Sequence, residues 1–430
     1  MNRLLILTVI DIEKQPNNRD HHLIPYFSAR CRETVVAYKR KLAPGPPLRM
    51  IKDMLVPSSR CFVRDGVRYL DINPLLNHYP GLSRDLTKAR PVISGAGPKP
   101  WRSRLLSMVT SLALLKDALF IPSFLPHCLF RAGGRFDVCV AIGPRAGLVA
   151  YLMKLLGRVR CLVYEDVDYE PGLVVPRVRQ LLLAKLETYL MKRADLVVSV
   201  GRSLAQLRRR ESGREVSIVS NGVNVDAFSP ARERSSHAPT LVYSGNVTYW
   251  SGLDVVISAL PEIARSIPQV RLTIIGGGIA SYLNHLKALV TKEGVGDRVT
   301  FLGTRSNDSL PAAFKQADVG LAFFVPMDLR RYAVPLKVFE YIAAGLPVIG
   351  TKGSETETIL TEGRCGIAVD YDAVSFAAAA KALLGDPDVY REYSRNAVAH
   401  SEGLDWSVLL EKEERLIRGA LRALEPRGAA

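Results

Sequence analysis

Residues 335–351 read PLKVFEYIAAGLPVIGT, and this stretch decides how the chain is built. Pro335 stands where the first turn of a helix tolerates proline, because the missing N–H would have no intrahelical acceptor there. Gly345 suits a left-handed helix stop, and Pro347 bars continuation. Leu336–Ala344 therefore reads as a short helix, and Val348-Ile349 as the short buried strand that follows it. The open N-terminus of such a helix presents unpaired N–H groups and partial positive charge, which suit a phosphate. Lys337 and Glu340 lie three apart on one face, while Val338, Phe339 and Ile342 turn to a core. Alone, the stretch is equally a surface helix with a Lys–Glu pair. The rest of the chain decides between the two.

Around it, short apolar runs alternate with helical ones. Val216–Val219, Leu241–Tyr243, Arg271–Ile275, Val299–Leu302 and Val319–Phe323 read as strands, with helices over Leu253–Ile263, Tyr282–Glu293 and Leu310–Gln316. The first half carries its own alternation: strands Leu4–Ile10, Phe136–Ile142, Cys161–Tyr164 and Leu196–Val200, helices Leu23–Arg30, Ala146–Leu156, Arg177–Lys192 and Leu204–Arg210. Residues 43–100 are rich in Pro and Gly and yield no motif. The pattern predicts parallel α/β sheets whose ligand-bearing loops follow the carboxyl ends of the strands. In the first half these loops are Asp11–His22, Gly143–Arg145, Glu165–Glu170 and Gly201–Ser203. A final helix, Trp406–Leu424, mixes charges with strong helical periodicity.

With 430 residues and 48% hydrophobic content, the chain has the core for two or three domains. Its net charge of +16 is uneven: residues 1–215 hold 36 basic and 18 acidic residues, a net of +18, and the remainder is slightly acidic. Such asymmetry points to a polyanionic partner. Aromatic content of only 7% and the lack of a recognition motif argue against nucleic acid; attraction to an anionic membrane surface explains the charge as well, and many of the basic residues are simply solvated. The cysteines at 31, 61, 128, 139, 161 and 365 show no metal spacing, so no metal site is expected and a reducing compartment is. MNRLLILTVI at the N-terminus reads as a buried strand rather than a signal peptide. Leu105–Phe130, broken by Lys116, Asp117 and two prolines, reads as an interfacial or a core helix and not as a span.

Three groups carry possible chemistry. Gly276-Gly277-Gly278 after a strand lets backbone approach a phosphate, although it lacks the dinucleotide spacing and equally suits a tight turn. Asp166 and Asp168, at a strand end, suit binding an acceptor hydroxyl or taking its proton better than they suit a hard metal. Arg19, His21 and His22 lie on the same rim and suit an anionic or hydroxylated acceptor, and equally a surface loop with no role.

Taken together, the second half resembles the retaining glycosyltransferases of family 4, which have the GT-B fold. Ser220–Pro230 is similar to the family's NGVD..FxP segment, Leu241–Leu260 to its glycine loop and helix, and Arg271–Gly278 with Val299–Gly303 to its strand-glycine and FLG elements. The opening stretch resembles the donor-binding segment KxxEYxAAGxPVI, and Trp406 the tryptophan that starts the terminal helix. The match spans about residues 195–425. It implies two Rossmann-like domains facing each other across a cleft: an acceptor-binding domain over 1–213, a nucleotide-sugar domain over 214–398, and a C-terminal helix over 399–430 crossing back to the first. It also implies sugar transfer with retained configuration from a UDP- or GDP-linked donor to a glycan or lipid-linked acceptor, without metal or other cofactor.

On this resemblance Glu340 binds the donor ribose, Lys337 and the N–H groups near Val338 hold the diphosphate, and Gly245, Asn246, Gly277 and Arg331 complete the donor site. Asp166, Asp168 and Lys337 are the expected catalytic residues, with Arg19, His22 and Asp168 on the acceptor. The expected location is cytoplasmic, peripheral on the inner face of the cell membrane. Three departures stand out. Tyr332 occupies the place of the first acid of the family's E-x7-E pair. Asn246 and Ser251 replace two cations, and Asn17-Asn18-Arg19 replaces a glycine-rich turn. They keep open a catalytically silent GT-B protein that binds a partner or glycan.

Overall fold

The computed structural model describes residues 1–14, 18–42, 46–77, 100–174, 177–228 and 238–425, with side chains from residue 114 onward in the segment beginning at 100. The chain divides into two units, Met1–Val219 with Leu410–Ala430, and Ser220–Leu409. Asn17 lies outside the described residues.

The first unit contains strands β1 (Arg3–Thr8), β2 (Glu33–Lys39), β3 (Ser58–Arg64), β4 (Val67–Asn73), β5 (Phe136–Ile142), β6 (Val159–Asp166), β7 (Leu196–Ser199) and β8 (Ser217–Ile218). They form one sheet in the order β3-β4-β2-β1-β5-β6-β7-β8, parallel except for the antiparallel β3–β4 pair. Leu4 to Leu7 and Val35 to Tyr38 are fully buried, since central parallel strands are covered on both faces and become continuous apolar runs. Sequence patterning passes over β2 because its flanks, Glu33 and Lys39, blur a five-residue apolar centre.

β8 corrects one expectation. Ser217–Ile218 pairs with β7 and so closes the first sheet instead of opening the second, which puts the division at Val219/Ser220 and not after Gly213. The expected helix Leu105–Phe130 is Pro100–Arg131. Phe120, Phe124 and Cys128, at four-residue spacing, are buried against the sheet, so this part is a core helix. No helix among the described residues is long and apolar enough to cross a membrane.

The second unit is a parallel sheet of β9 (Thr240–Ser244), β10 (Arg271–Ile275), β11 (Val299–Gly303), β12 (Val319–Ala322), β13 (Val348–Thr351) and β14 (Gly366–Val369), ordered β11-β10-β9-β12-β13-β14. The opening helix is Leu336–Ala343, stopped as expected by Gly345 at φ +73°. Tyr341 fastens it: the Ser244 N–H donates to its hydroxyl at 2.7 Å. The Tyr341 ring lies against Gly320, where a Cβ would sit 2.4 Å from it. Gly222, in the NGV segment, is packed as closely: a Cβ there would lie 2.8 Å from the Leu404 carbonyl and 2.9 Å from the Trp406 ring.

The first unit holds a buried ion network. Arg208 is fully buried and donates to Asp166 at 2.9 and 3.1 Å, with Glu187 at 2.7 Å and Glu211 at 3.1 Å. Removing a partner from a buried ion network strands the remaining charges. Arg208→Ala should destabilise the first unit by about 3–5 kcal/mol, read as a lower urea midpoint, whereas Arg209→Ala, half-exposed, should move it far less.

Candidate functional site

The second sheet places its site by topology. From β9 the chain winds outward through β10 and β11, and from β12 in the other direction through β13 and β14. Ligands in such sheets bind at the carboxyl ends where the winding reverses. Here that is the crevice between β9 and β12, flanked by the loops 245–252 and 323–335.

Glycines make the floor of this crevice. Gly245 has φ +121° and Gly276 φ +142°, and a Cβ on Gly276 would lie 1.8 Å from the Gly245 carbonyl oxygen. A Cβ on Gly278 would lie 1.8 Å from the Val247 carbonyl, and one on Gly277 would lie 2.5 Å from Thr304 Oγ1. The two loops therefore interlock backbone to backbone, and only glycine fits. Gly252, at φ +67°, closes the second end against the Phe323 carbonyl, 2.2 Å from where its Cβ would be.

Lys337 comes over this floor from the first turn of the opening helix. Its Nζ lies 3.8 Å from the Tyr243 ring centroid and 5.3 Å from that of Phe324, and it is the atom a Cβ on Gly245 would meet at 2.9 Å. Among the described residues its ammonium has no hydrogen bond and no ion pair. Burial, then the charge of Arg330, pulls its pKa down to about 7, against the opposing pull of Glu340. Arg330 stacks 4.9 Å from the Phe324 centroid and 5.7 Å from Trp250. Glu340 is buried one helical turn on. No side chain caps the helix, and Pro335 has no N–H to offer. Two cations and an uncapped helix end thus converge on a pocket of backbone, an arrangement that fits an anion of two or more charges.

Other expected donor residues take different places. Arg331 is exposed and, with Arg330, lines an adjoining cavity of about 320 Å³ bounded by Phe324, Asp328, Lys352 and Ser354. The cation beside Lys337 is Arg330, which sequence alone cannot tell from its neighbour. The Val338 side chain is fully buried, and its N–H is taken by the Pro335 carbonyl at 3.0 Å. Asn246 is exposed, and its carbonyl accepts from the Tyr243 hydroxyl at 2.7 Å. Ser251 is buried and donates to the Thr248 carbonyl at 2.7 Å, serving the turn into Gly252. Tyr332 is half-buried at the end of the short helix Asp328–Tyr332.

In the first unit, two expected site residues lie in buried ion networks. Asp166 is buried, and each of its oxygens accepts from Arg208 inside the core. Arg19 is 6% exposed and lies between Glu165, at 2.9 Å, and Glu413 of the last helix, so its guanidinium is spent on buried acids. Asp168 is exposed just past β6, and His22 is half-buried in the first turn of the helix Arg19–Ser28. His21 serves that helix: its Nδ1 accepts the Asn18 N–H at 3.4 Å and its Nε2 lies 2.7 Å from the Ile12 carbonyl.

Two family models match, "Glycosyl transferase 4-like domain" over residues 72–222 and "Glycosyl transferases group 1" over residues 238–386. The chain belongs to the family-4 glycosyltransferases. It is 26% identical over 247 residues to D-inositol 3-phosphate glycosyltransferase of Corynebacterium diphtheriae, covering 53% of this chain and 57% of that one. It is 37% identical over 183 residues to the GDP-mannose-dependent alpha-(1-6)-phosphatidylinositol monomannoside mannosyltransferase of Mycobacterium tuberculosis, covering 39% of this chain and 46% of that one. The aligned parts thus span about half the length of these curated relatives. Among solved structures, sucrose-phosphate synthase from Thermosynechococcus elongatus superposes with a TM-score of 0.69 at 17% identity, covering 98% of this chain and 100% of that one. Anabaena HepE in complex with UDP gives 0.65 at 15%, covering 97% and 100%. Both are GT-B proteins, which is the fold of this family-4 chain.

The depressed Lys337 pKa makes a stability prediction. Folded Lys337 releases its proton near pH 7 and the unfolded chain near 10.5, so between these values the unfolded state binds more protons and stability rises with pH. The cost of the buried charge is complete below pH 7 and gone above 10.5. Lys337→Met should therefore be more stable than the parent at pH 6, with the gap closing towards pH 10 in urea unfolding.

Proposed function

We propose that this family-4 chain is a retaining glycosyltransferase that moves a sugar from a nucleotide-sugar donor to a glycan or lipid-linked acceptor in cell-surface polysaccharide or glycolipid synthesis. The observation that carries the reading is Lys337, a half-buried ammonium without a counter-ion, set over a glycine floor at an uncapped helix end. In this reading the donor diphosphate is that counter-ion, and Arg330 and the Leu336–Lys337 N–H groups share its charge. Glu340 holds the ribose. As the anomeric C–O bond to phosphate breaks, the leaving phosphate oxygen takes the proton of the acceptor hydroxyl, and the new glycosidic bond forms on the same face. The positive charge that a metal would bring is supplied by the two side chains and the helix end. Asp168 and His22, at the carboxyl edge of the first sheet, are the proposed acceptor contacts; Asp166 and Arg19 are not.

The names of the relatives, which act on inositol phosphate and on phosphatidylinositol mannosides, support a polar, lipid-associated acceptor class. An anionic membrane surface is the proposed partner of the first unit. Supporting it, the helix Pro47–Leu55 buries none of its residues and exposes Leu48 (84%), Ile51 (54%) and Leu55 (59%) at helical spacing beside Arg49 and Lys52.

One specific observation favours a second reading, a catalytically silent protein that binds a partner or glycan: Tyr332 stands where the family carries an acid. Turnover separates the two. Incubation with UDP- and GDP-sugars should give donor hydrolysis or transfer that persists in EDTA. Lys337→Ala should weaken nucleoside diphosphate binding by about 10- to 100-fold, the loss of a charge-assisted contact, and Glu340→Ala by about tenfold in calorimetry. Binding with no turnover on any donor would favour the silent protein; no binding of any nucleotide would end the donor reading.

For the membrane, the parent should co-sediment with anionic vesicles at low salt and release at high salt. Leu48→Ser with Ile51→Ser should cut the bound fraction several-fold without changing nucleotide affinity.

A further inference from the structure

The last helix joins the rest of the first unit through a buried cluster in which acids outnumber cations. Arg19, Asp20, Glu165 and Glu413 are all buried. Arg19 and Asp20 open the helix Arg19–Ser28, Glu165 stands next to last in β6, and Glu413 lies in the helix Trp406–Ala423. Arg19 Nε donates to Glu165 at 2.9 Å, and Arg19 Nη2 donates to Glu413. Asp20 accepts from the hydroxyl of Thr8, the last residue of β1, at 3.2 Å. Among the described residues, Arg19 is the one cation that pairs with Glu165 or Glu413.

These two glutamates are thus two acids on one guanidinium. Each gives its Oε2 to Arg19, and the Oε1 of each is buried with no hydrogen bond among the described residues. A buried carboxylate oxygen without a donor has lost its hydration uncompensated. With both acids ionised the pair would also repel, and Asp20 would add a third charge. A single proton removes both penalties, because it neutralises one acid and turns that acid into a donor. The charges next along the chain face other partners. Asp166, which follows Glu165, turns to Arg208. Glu414, which follows Glu413, is half-buried and pairs with Arg418 at 2.6 Å, Tyr26 at 3.1 Å and Arg30 at 3.4 Å. Burial and then Glu165 hold the Glu413 carboxyl well above its usual range, against the pull of Arg19. Burial, followed by Glu165, pushes Asp20 up to about 7.

We propose that Glu165 and Glu413 share one proton, and that the last helix is latched onto the first unit by taking it up. The proton comes from water as residues 410–425 dock, links an oxygen of one acid to an oxygen of the other, and returns to water when they leave. In the unfolded chain a glutamate releases its proton near 4.5. Above that pH the folded state binds more protons than the unfolded one, so the latch weakens as pH rises, until the folded pair itself ionises. The sense is opposite to that of Lys337.

The test compares the full chain with Glu413→Gln and with Glu165→Gln in urea between pH 5.5 and 8. A glutamine amide donates to the remaining carboxylate with no proton to lose. Each variant should therefore gain on the parent by about tenfold in the unfolding constant per pH unit. Titrations common to parent and variant, those of Asp20 and Lys337 among them, cancel in this comparison. The double variant should show no further pH dependence, since only one proton is shared. Glu414→Gln should differ from the parent by an amount that does not vary over this range. Infrared difference spectra at pH 7 give a readout without unfolding: the parent should show a protonated-carboxyl band that either single variant loses. A parent–variant difference constant with pH, one that runs the other way, or a carboxyl band unaltered in both variants would each overturn the shared proton.

Discussion

The hydrogen bond from the Ser244 N–H to the Tyr341 hydroxyl holds the second unit's site together. Ser244 is the last residue of β9, and Tyr341 lies one turn beyond Lys337 on the opening helix. Their contact, with the Tyr341 ring seated on Gly320 of β12, fixes the helix over both strands that flank the crevice. The helix turn that carries Lys337 is thereby held beside Tyr243. A backbone whose position is fixed before the ligand arrives loses little freedom on binding. The interlocked glycines do the same for the backbone beneath it.

The two sheets treat charge in opposite ways away from and at their edges. Inside the first unit, Arg208 and Arg19 are each matched by two or more carboxylates. At the crevice of the second unit, Lys337 has no hydrogen bond or ion pair among the described residues. Burial is the first cause of its depressed pKa, about 7, and Arg330 the second, while Glu340 pulls the other way.

How much of this was legible in the sequence follows from how local each signal is. The opening helix could be bounded almost to the residue, because Pro335, Gly345 and Pro347 act through their own backbones. Strands β5, β6 and β10 were legible as apolar runs, whereas β2 was not, since its charged ends hide its centre. The ion pairs of Asp166 and Arg19 were hidden for a physical reason. A polar residue at a strand end looks the same whether it faces water or a counter-ion, and the counter-ions, Arg208 and Glu413, come from distant segments. Arg330 could not be told from Arg331 for the converse reason: the aromatic rings that place it, Trp250 and Phe324, come from other elements.

The pairing of Arg19 with Glu413 also bears on how this protein can be taken apart. The first unit is not one continuous piece of chain, for its buried arginine depends on a carboxylate encoded near the C-terminus. A gene fragment ending at Val219 would take Glu413 and the last helix away from Arg19. Grafting a foreign first unit onto this second unit therefore means exchanging two segments together. In such a chimera, residues 410–425 would travel with the N-terminal half, and the seams would be Val219/Ser220 and Leu409/Leu410.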